Sequence, residues 1–156
     1  DIKTTSITQV SCSNIFSMYH KDLLNNKDYF SGIGEMLHFF AVSSEEDYLF
    51  FVNNLNPLII RNKKIIIKYI KKCLLIKKRF IEKDEFDSNK RLILNYGHTF
   101  GHALESVYKY KIPHGIAVCH GMDISNFFSW KLGYLTEKKY LYMKKTIFQI
   151  VKNVLY

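Results

Sequence analysis

The sequence predicts an all-α domain, on three observations. Only seven glycines and two prolines punctuate 156 residues, too few for the turn-dense strands of a β architecture. Apolar residues recur at three- and four-residue spacing through several segments. Capping residues stand where those segments begin. With 47% hydrophobic and 15% aromatic residues, the chain can bury a sizeable core and is not a disordered polypeptide.

Residues 1–18 carry Thr, Ser and alternating apolar residues. They read as a short extended segment, and the expected boundaries are 1–20 for that segment, leading in from a further domain, and 21–156 for a helical domain. Over 29–42, Phe30, Ile33, Leu37, Phe40 and Ala41 share a helical face. Ser43 and Ser44, followed by Glu46 and Asp47, are capping-box starts for a short helix reaching residue 54. Pro57 stands where a helix tolerates proline in its first turn, and the spacing predicts that LIIRNKKIIIKYIKKCLLIKKRF behind it is one long amphipathic helix. KDEFDSNK, 83–90, is a polar turn. A helix over about 90–110 is ended by KIPHG, another covers about 114–132, and Gly133 with a Thr136 cap opens the last one.

Lys and Arg number 23 against 14 Asp and Glu. That excess suits nucleic acid, an anionic membrane surface or an anionic small substrate. It also suits a composition in which lysine lies on every solvent face. No aromatic stacking platform interleaves the lysines of the long helix and no nucleic-acid motif accompanies the charge, so that helix reads as an amphipathic one with a solvated basic face. No nucleic-acid or membrane partner is expected, since no apolar run approaches the roughly 18 residues of a span. Cys12, Cys73 and Cys119, widely spaced and without a CxxC, read as reduced thiols of a cytoplasmic protein.

The stretch LNYGHTFGHALES, 94–106, concentrates the chemistry. His98 and His102 lie one helical turn apart and would share a face. They are two ligands of one metal, two members of a reaction centre with different jobs, or core side chains. Gly97 and Gly101, also four apart, would cost roughly 1 kcal/mol each inside a helix, which argues for close approach of another backbone or a ligand. His114 follows Pro113 at a helix start, where its ring can turn back toward the preceding helix. Three protein ligands with one open position are typical of catalytic zinc, and a carboxylate would complete two histidines. Glu35, in SGIGEMLHFF, is the candidate, although spacing alone favours a partly exposed acid at a helix start, stabilised by the dipole. His20 and His120 read as core histidines.

SGIGEMLH, CLLIKK, RLILNYGHTFGHALES and PHGIAVCHGM, in this order and spacing, resemble the C-terminal helical domain of the 3-dehydroquinate synthases and related sugar-phosphate cyclases. The resemblance is weaker before Ser31 and after Trp130. It implies that Glu35, His98 and His114 are ligands of zinc, or of cobalt in the same donor set, and that His102 is a catalytic histidine outside the ligand set. Lys77, Arg91 and Asn95 match residues that contact an anionic phosphorylated sugar-acid substrate, Asn95 being counted with His102 as catalytic. His38 stands where a lysine is usual and would take over its contact with the substrate. Ile116 replaces the acid of the usual HGEAV.

The implied activity is that of a carbon–oxygen lyase of the shikimate pathway. It converts 3-deoxy-D-arabino-heptulosonate 7-phosphate to 3-dehydroquinate and phosphate, using bound NAD to oxidise and later re-reduce one hydroxyl. No GxGxxG follows a strand here. NAD is therefore expected to be bound mainly by a domain absent from this sequence, the chain to be incomplete at its C-terminus and inactive alone, and the full-length protein to be a homodimer. The alternatives are another sugar-phosphate cyclase, of the 2-deoxy-scyllo-inosose or valiolone synthase type, and a degenerate non-catalytic fragment. Substrates of those other cyclases lack the carboxylate that Lys77 and Arg91 together suit.

Overall fold

The computed structural model describes residues 24–83 and 90–155. The extended segment expected over 1–20, His20 and most of the polar turn lie outside them. Every element among the described residues is helical, as the sequence predicts: α1 Asn26–Ser43, α2 Glu45–Asn53, α3 Leu55–Ile59, α4 Lys63–Lys83, a 3₁₀ helix Lys90–Asn95, α5 His98–Val107, α6 His114–Lys131 and α7 Glu137–Val151.

The starts follow local chemistry. Asn25, Ser44 and Thr136 each accept a hydrogen bond from the backbone N–H three residues on, at 2.9, 3.1 and 3.3 Å, satisfying one of the orphan donors of α1, α2 and α7. Two expectations are corrected. Pro57 does not open the long helix; it falls inside the one-turn α3, in a first turn where its missing donor costs little. The chain then reverses through Arg61, held at φ 60, and the Asn62 side chain caps α4 by accepting from the Ile65 N–H at 3.2 Å. Arg61 fastens this corner to α1: its guanidinium donates to the Leu24 carbonyl and Asn26 Oδ1, and lies 4.2 Å from the Tyr29 ring centroid.

The second correction concerns the helix expected over 90–110. It is two elements, broken at Tyr96 and Gly97, with Gly97 left-handed at φ 81 as the cap of α5. A Cβ at Gly97 would lie 2.6 Å from Met122 Cγ and 2.9 Å from the Val118 carbonyl. Glycine is required there both by the dihedral and by the contact with α6.

Helix α6 is the centre of the domain and packs on α1, α5 and α7. It is buried on most of its circumference, from Gly115 through Cys119 and again at Gly121, Met122 and Asn126, as expected for a helix apolar on all sides. Its two main crossings are backbone on backbone. A Cβ on Gly115 would overlap the Ser31 carbonyl of α1, and one on Gly121 would overlap the Gly97 carbonyl. A second part of the core joins α1, α2 and α4, where the rings of Phe40, Phe51 and Tyr69 pack with centroids 5.3 Å apart. The hydroxyls of Tyr29 and Tyr69 enter this interior already satisfied, each donating to a backbone carbonyl at 2.6 Å.

Helix α4 buries Ile66, Tyr69, Ile70, Cys73 and Ile76 along one stripe and turns lysines outward, so it is an amphipathic helix of ordinary kind. Two of its cations hold the buried Asp47 carboxylate of α2, Lys72 at 2.7 Å and Arg79 at 3.2 Å. Among the described residues no helix is long and apolar enough to cross a membrane.

Candidate metal centre

Three helices carry the candidate residues to one point. Glu35 lies in the middle of α1. Gly97 ends the 3₁₀ turn and makes His98 the first residue of α5, with His102 one turn later. The tight connection from α5 to α6 uses left-handed backbone at Lys109 and Tyr110, and Pro113 then makes His114 the first residue of α6. The rings of His98, His102 and His114 lie with centroids 5.4–5.6 Å apart. Glu35 is therefore not the helix-start acid that spacing alone suggests; the N-terminal dipole of α1 does not reach it, and its partners come from other helices.

Glu35 Oε1 is 3.2 Å from His114 Nε2 and 3.7 Å from His98 Nε2. It is nonetheless a buried oxygen that no hydrogen bond of acceptable geometry reaches. The opposite ring nitrogens are taken by acceptors: His98 Nδ1 faces the Tyr96 carbonyl at 3.4 Å and His114 Nδ1 faces Glu105 Oε1 at 3.0 Å. Both Nε2 atoms thus converge on one unsatisfied carboxylate oxygen. Zinc bonds of ~2.0–2.1 Å at tetrahedral angles separate donor atoms by roughly 3.3 Å, so the observed 3.2 and 3.7 Å fit a cation between them. Two imidazoles and a carboxylate are also a donor set that zinc accepts.

The electrostatics follow the geometry. Burial holds His98 below the usual imidazole range, neutral as a ligand must be. Burial pushes Glu35 upward, but the contacts with His114, His38 and His98 outweigh it and keep the carboxylate ionised. His114 is raised to about 9, chiefly by the close Glu35 carboxylate and against the effect of burial. An entering cation must displace that proton, so its binding releases acid.

The other expected site residues are distributed as follows. His102 is exposed, with its ring beside those of His98 and His114. His38 is only 1% exposed, set edge-on against His98 with ring centroids 4.7 Å apart. Burial drives it down to about 4; a neutral, covered imidazole offers an anion no charge and no face, so the expected substrate contact at His38 finds no support in its position. Lys77 is half-buried on α4. Asn95 is exposed at the end of the 3₁₀ helix, which packs against α4. Arg91 is in the same 3₁₀ helix, and its side chain lies outside the described part of the structure. His120 is half-buried on α6.

One residue escaped the sequence reading. Glu105 is 8% exposed and supplies the carboxylate beside His114. The available signal was its position three residues after His102, on the same helical face. His102, Glu105 and His114 form a second group with donor atoms within 4.8 Å of one another. Ile116, by contrast, is fully buried in the apolar core.

A helical domain that gathers two imidazoles and a carboxylate from three helices defines a candidate metal-binding domain. Residues 32–154 match the 3-dehydroquinate synthase C-terminal family. The 3-dehydroquinate synthase of Dictyoglomus turgidum is 38% identical over 114 residues, 72% of this chain and 32% of the relative. That of Dictyoglomus thermophilum is 36% identical over 112 residues, 71% and 32%, and that of Buchnera aphidicola subsp. Cinara cedri is 35% identical over 132 residues, 84% and 35%. The chain belongs to the 3-dehydroquinate synthase family. It spans about a third of the length of the curated relatives it matches.

Proposed function

We propose that this chain is the metal- and substrate-binding part of a 3-dehydroquinate synthase, which eliminates phosphate from 3-deoxy-D-arabino-heptulosonate 7-phosphate and closes the ring. The observation that carries the reading is the unsatisfied Glu35 oxygen facing the Nε2 atoms of His98 and His114. Glu35, His98 and His114 would hold zinc, or cobalt, and such an ion when bound supplies Lewis-acid polarisation of substrate oxygens.

The chain's own side chains do the rest. His98 meets the ion neutral, and His114 releases its Nε2 proton on loading. The exposure of His102 beside the ligand rings supports it as the group that holds or moves a proton at a substrate oxygen. Arg91 would bind the carboxylate or phosphate as a bidentate fork and Lys77 as a point charge, with the Asn95 amide able to donate and accept nearby. NAD would be held chiefly outside this chain: every regular element among the described residues is a helix, and none of them is a strand leading into a glycine-rich nucleotide loop.

Calorimetric zinc titration of wild-type chain, His98→Ala and Glu35→Ala tests the centre: one tight site, lost in both variants, is expected. Phosphate release from the seven-carbon keto acid phosphate, with NAD and zinc, tests the activity in the full-length protein. A preference for a sugar phosphate without a carboxylate would assign it to another cyclase. Zinc binding untouched by either substitution would remove the proposed centre.

A further inference from the structure

We propose that Glu105 is a positioning residue for the metal centre: it fixes His114 by Nδ1 so that Nε2 faces Glu35 and His98. The inference rests on the reading of Glu35, His98 and His114 as ligands. Glu105 Oε1 lies 3.0 Å from His114 Nδ1, and its side chain is 11% exposed. A carboxylate there accepts, so Nδ1 keeps its hydrogen, and once the Nε2 proton has left, the Nε2 lone pair is directed into the cluster.

The two ligand histidines differ in how firmly they are held. The His98 side chain is 17% exposed and its Nδ1 faces a backbone carbonyl of the preceding turn. The His114 side chain is 42% exposed, at the very start of its helix. Glu105, anchored on the buried face of α5, supplies what the backbone supplies to His98. Helix α5 thereby carries one ligand and the support of the other, so the spacing of His98 and Glu105 along one helix also sets the spacing of the two imidazoles.

The same carboxylate belongs to the group His102, Glu105 and His114, whose donor atoms lie within 4.8 Å of one another. As an ion site, that group would take Nδ1 of the ring whose Nε2 serves the first site. Filling both would require a bridging ring stripped of both its hydrogens, whereas one N–H donated to Glu105 and one ion at Nε2 satisfy both nitrogens of the ring. The geometry therefore favours support over ligation.

The test compares wild-type chain with Glu105→Gln, Glu105→Ala and a His98→Ala control. Zinc affinity and stoichiometry are read by calorimetry, zinc-free melting by circular dichroism, and the histidine protonation pattern of zinc-loaded wild type by long-range proton–nitrogen NMR. The expected result is zinc binding ~10–100-fold weaker in Glu105→Ala. A smaller loss is expected in Glu105→Gln, whose amide oxygen still accepts, with zinc-free melting near wild type and a His114 hydrogen on Nδ1. Unchanged affinity in both variants, or a wild-type His114 without a hydrogen on Nδ1, overturns the inference. Two zinc ions in wild type and one in Glu105→Gln would also overturn it, making Glu105 a ligand. Should Glu105→Ala fail to fold, Glu105→Gln and the wild-type spectrum still decide. If His98→Ala binds zinc as tightly as wild type, the centre itself falls and the role of Glu105 with it; the control separates that failure from the others.

Discussion

Substituting Gly115 with alanine should damage stability and metal binding together. The added methyl would overlap the Ser31 carbonyl oxygen, sit 2.7 Å from its carbon and 3.1 Å from the Glu35 amide nitrogen. Carbon–carbon contact is favourable only near 3.5–4.0 Å, so α1 and α6 must part by roughly 1 Å at their crossing. Overpacking of this kind costs typically ~1–3 kcal/mol. The better helix propensity of alanine returns at most about 1 kcal/mol, and less at the second residue of a helix. A net loss of about 1–2 kcal/mol should lower the melting temperature by roughly 3–8 °C for a domain of this size.

The separation also opens the gap between Glu35 and His114, the residue before the substitution. Metal bonds tolerate only about ±0.2 Å, so zinc affinity should fall at least ~10-fold. Gly133→Ala is the matched control. Nothing lies within 4 Å of its Cβ, but its φ is 81, so it should cost ~1 kcal/mol of backbone strain and leave zinc binding alone. Melting curves and zinc calorimetry on both variants check this. A Gly115→Ala chain that melts with wild type and binds zinc equally would refute the account of the crossing.

Other expectations are more local. Asp47 is held at about 2, although burial pushes it up, by its contacts with Lys72, Ser43 and Arg79. Its unfolded value is near 3.8, so the unfolded chain binds more protons between the two. Stability from this group is present above about pH 4 and lost as pH falls toward 2, by about 2 kcal/mol at most; Asp47→Asn should flatten that limb in acid melts. Tyr69→Phe removes the hydroxyl that donates to the Phe51 carbonyl, which keeps the Asn54 N–H as a donor, and should cost ~0.5–1.5 kcal/mol in urea unfolding. His102→Ala should keep zinc affinity near wild type while activity of the full-length protein drops ~100-fold or more. Saturating zinc at ~100 times its dissociation constant should add about 2.7 kcal/mol to stability, and a chelator should remove it.

What could be read from sequence was what local chemistry decides. Ser44 and Thr136 cap their helices through bonds spanning three residues, and the apolar stripe of α4 lies within one element, so both were legible. The break at Gly97 was not, because Met122 and Val118, more than twenty positions away, decide it. Pro57 looked like a helix start because the reversal at Arg61 is fastened by residues near 24–29. Within the site, the histidine spacing was visible in α5. The surroundings of Glu35 and the link from Glu105 to His114 join separate helices, and no periodicity within one helix encodes a contact between two.

The two glycine crossings have a mechanical consequence. Where helices meet through side chains, rotamer changes let them slide, and distances across the junction drift with temperature and with every neighbouring substitution. Here carbonyl and Cα surfaces touch directly, at Ser31 against Gly115 and at Gly97 against Gly121, with no rotatable bond between them. The three helices bearing Glu35, His98 and His114 therefore behave as one stiff frame. Core substitutions elsewhere, such as a shortened side chain at Ile66 or Leu58, should soften the whole fold well before they alter the spacing of the imidazoles.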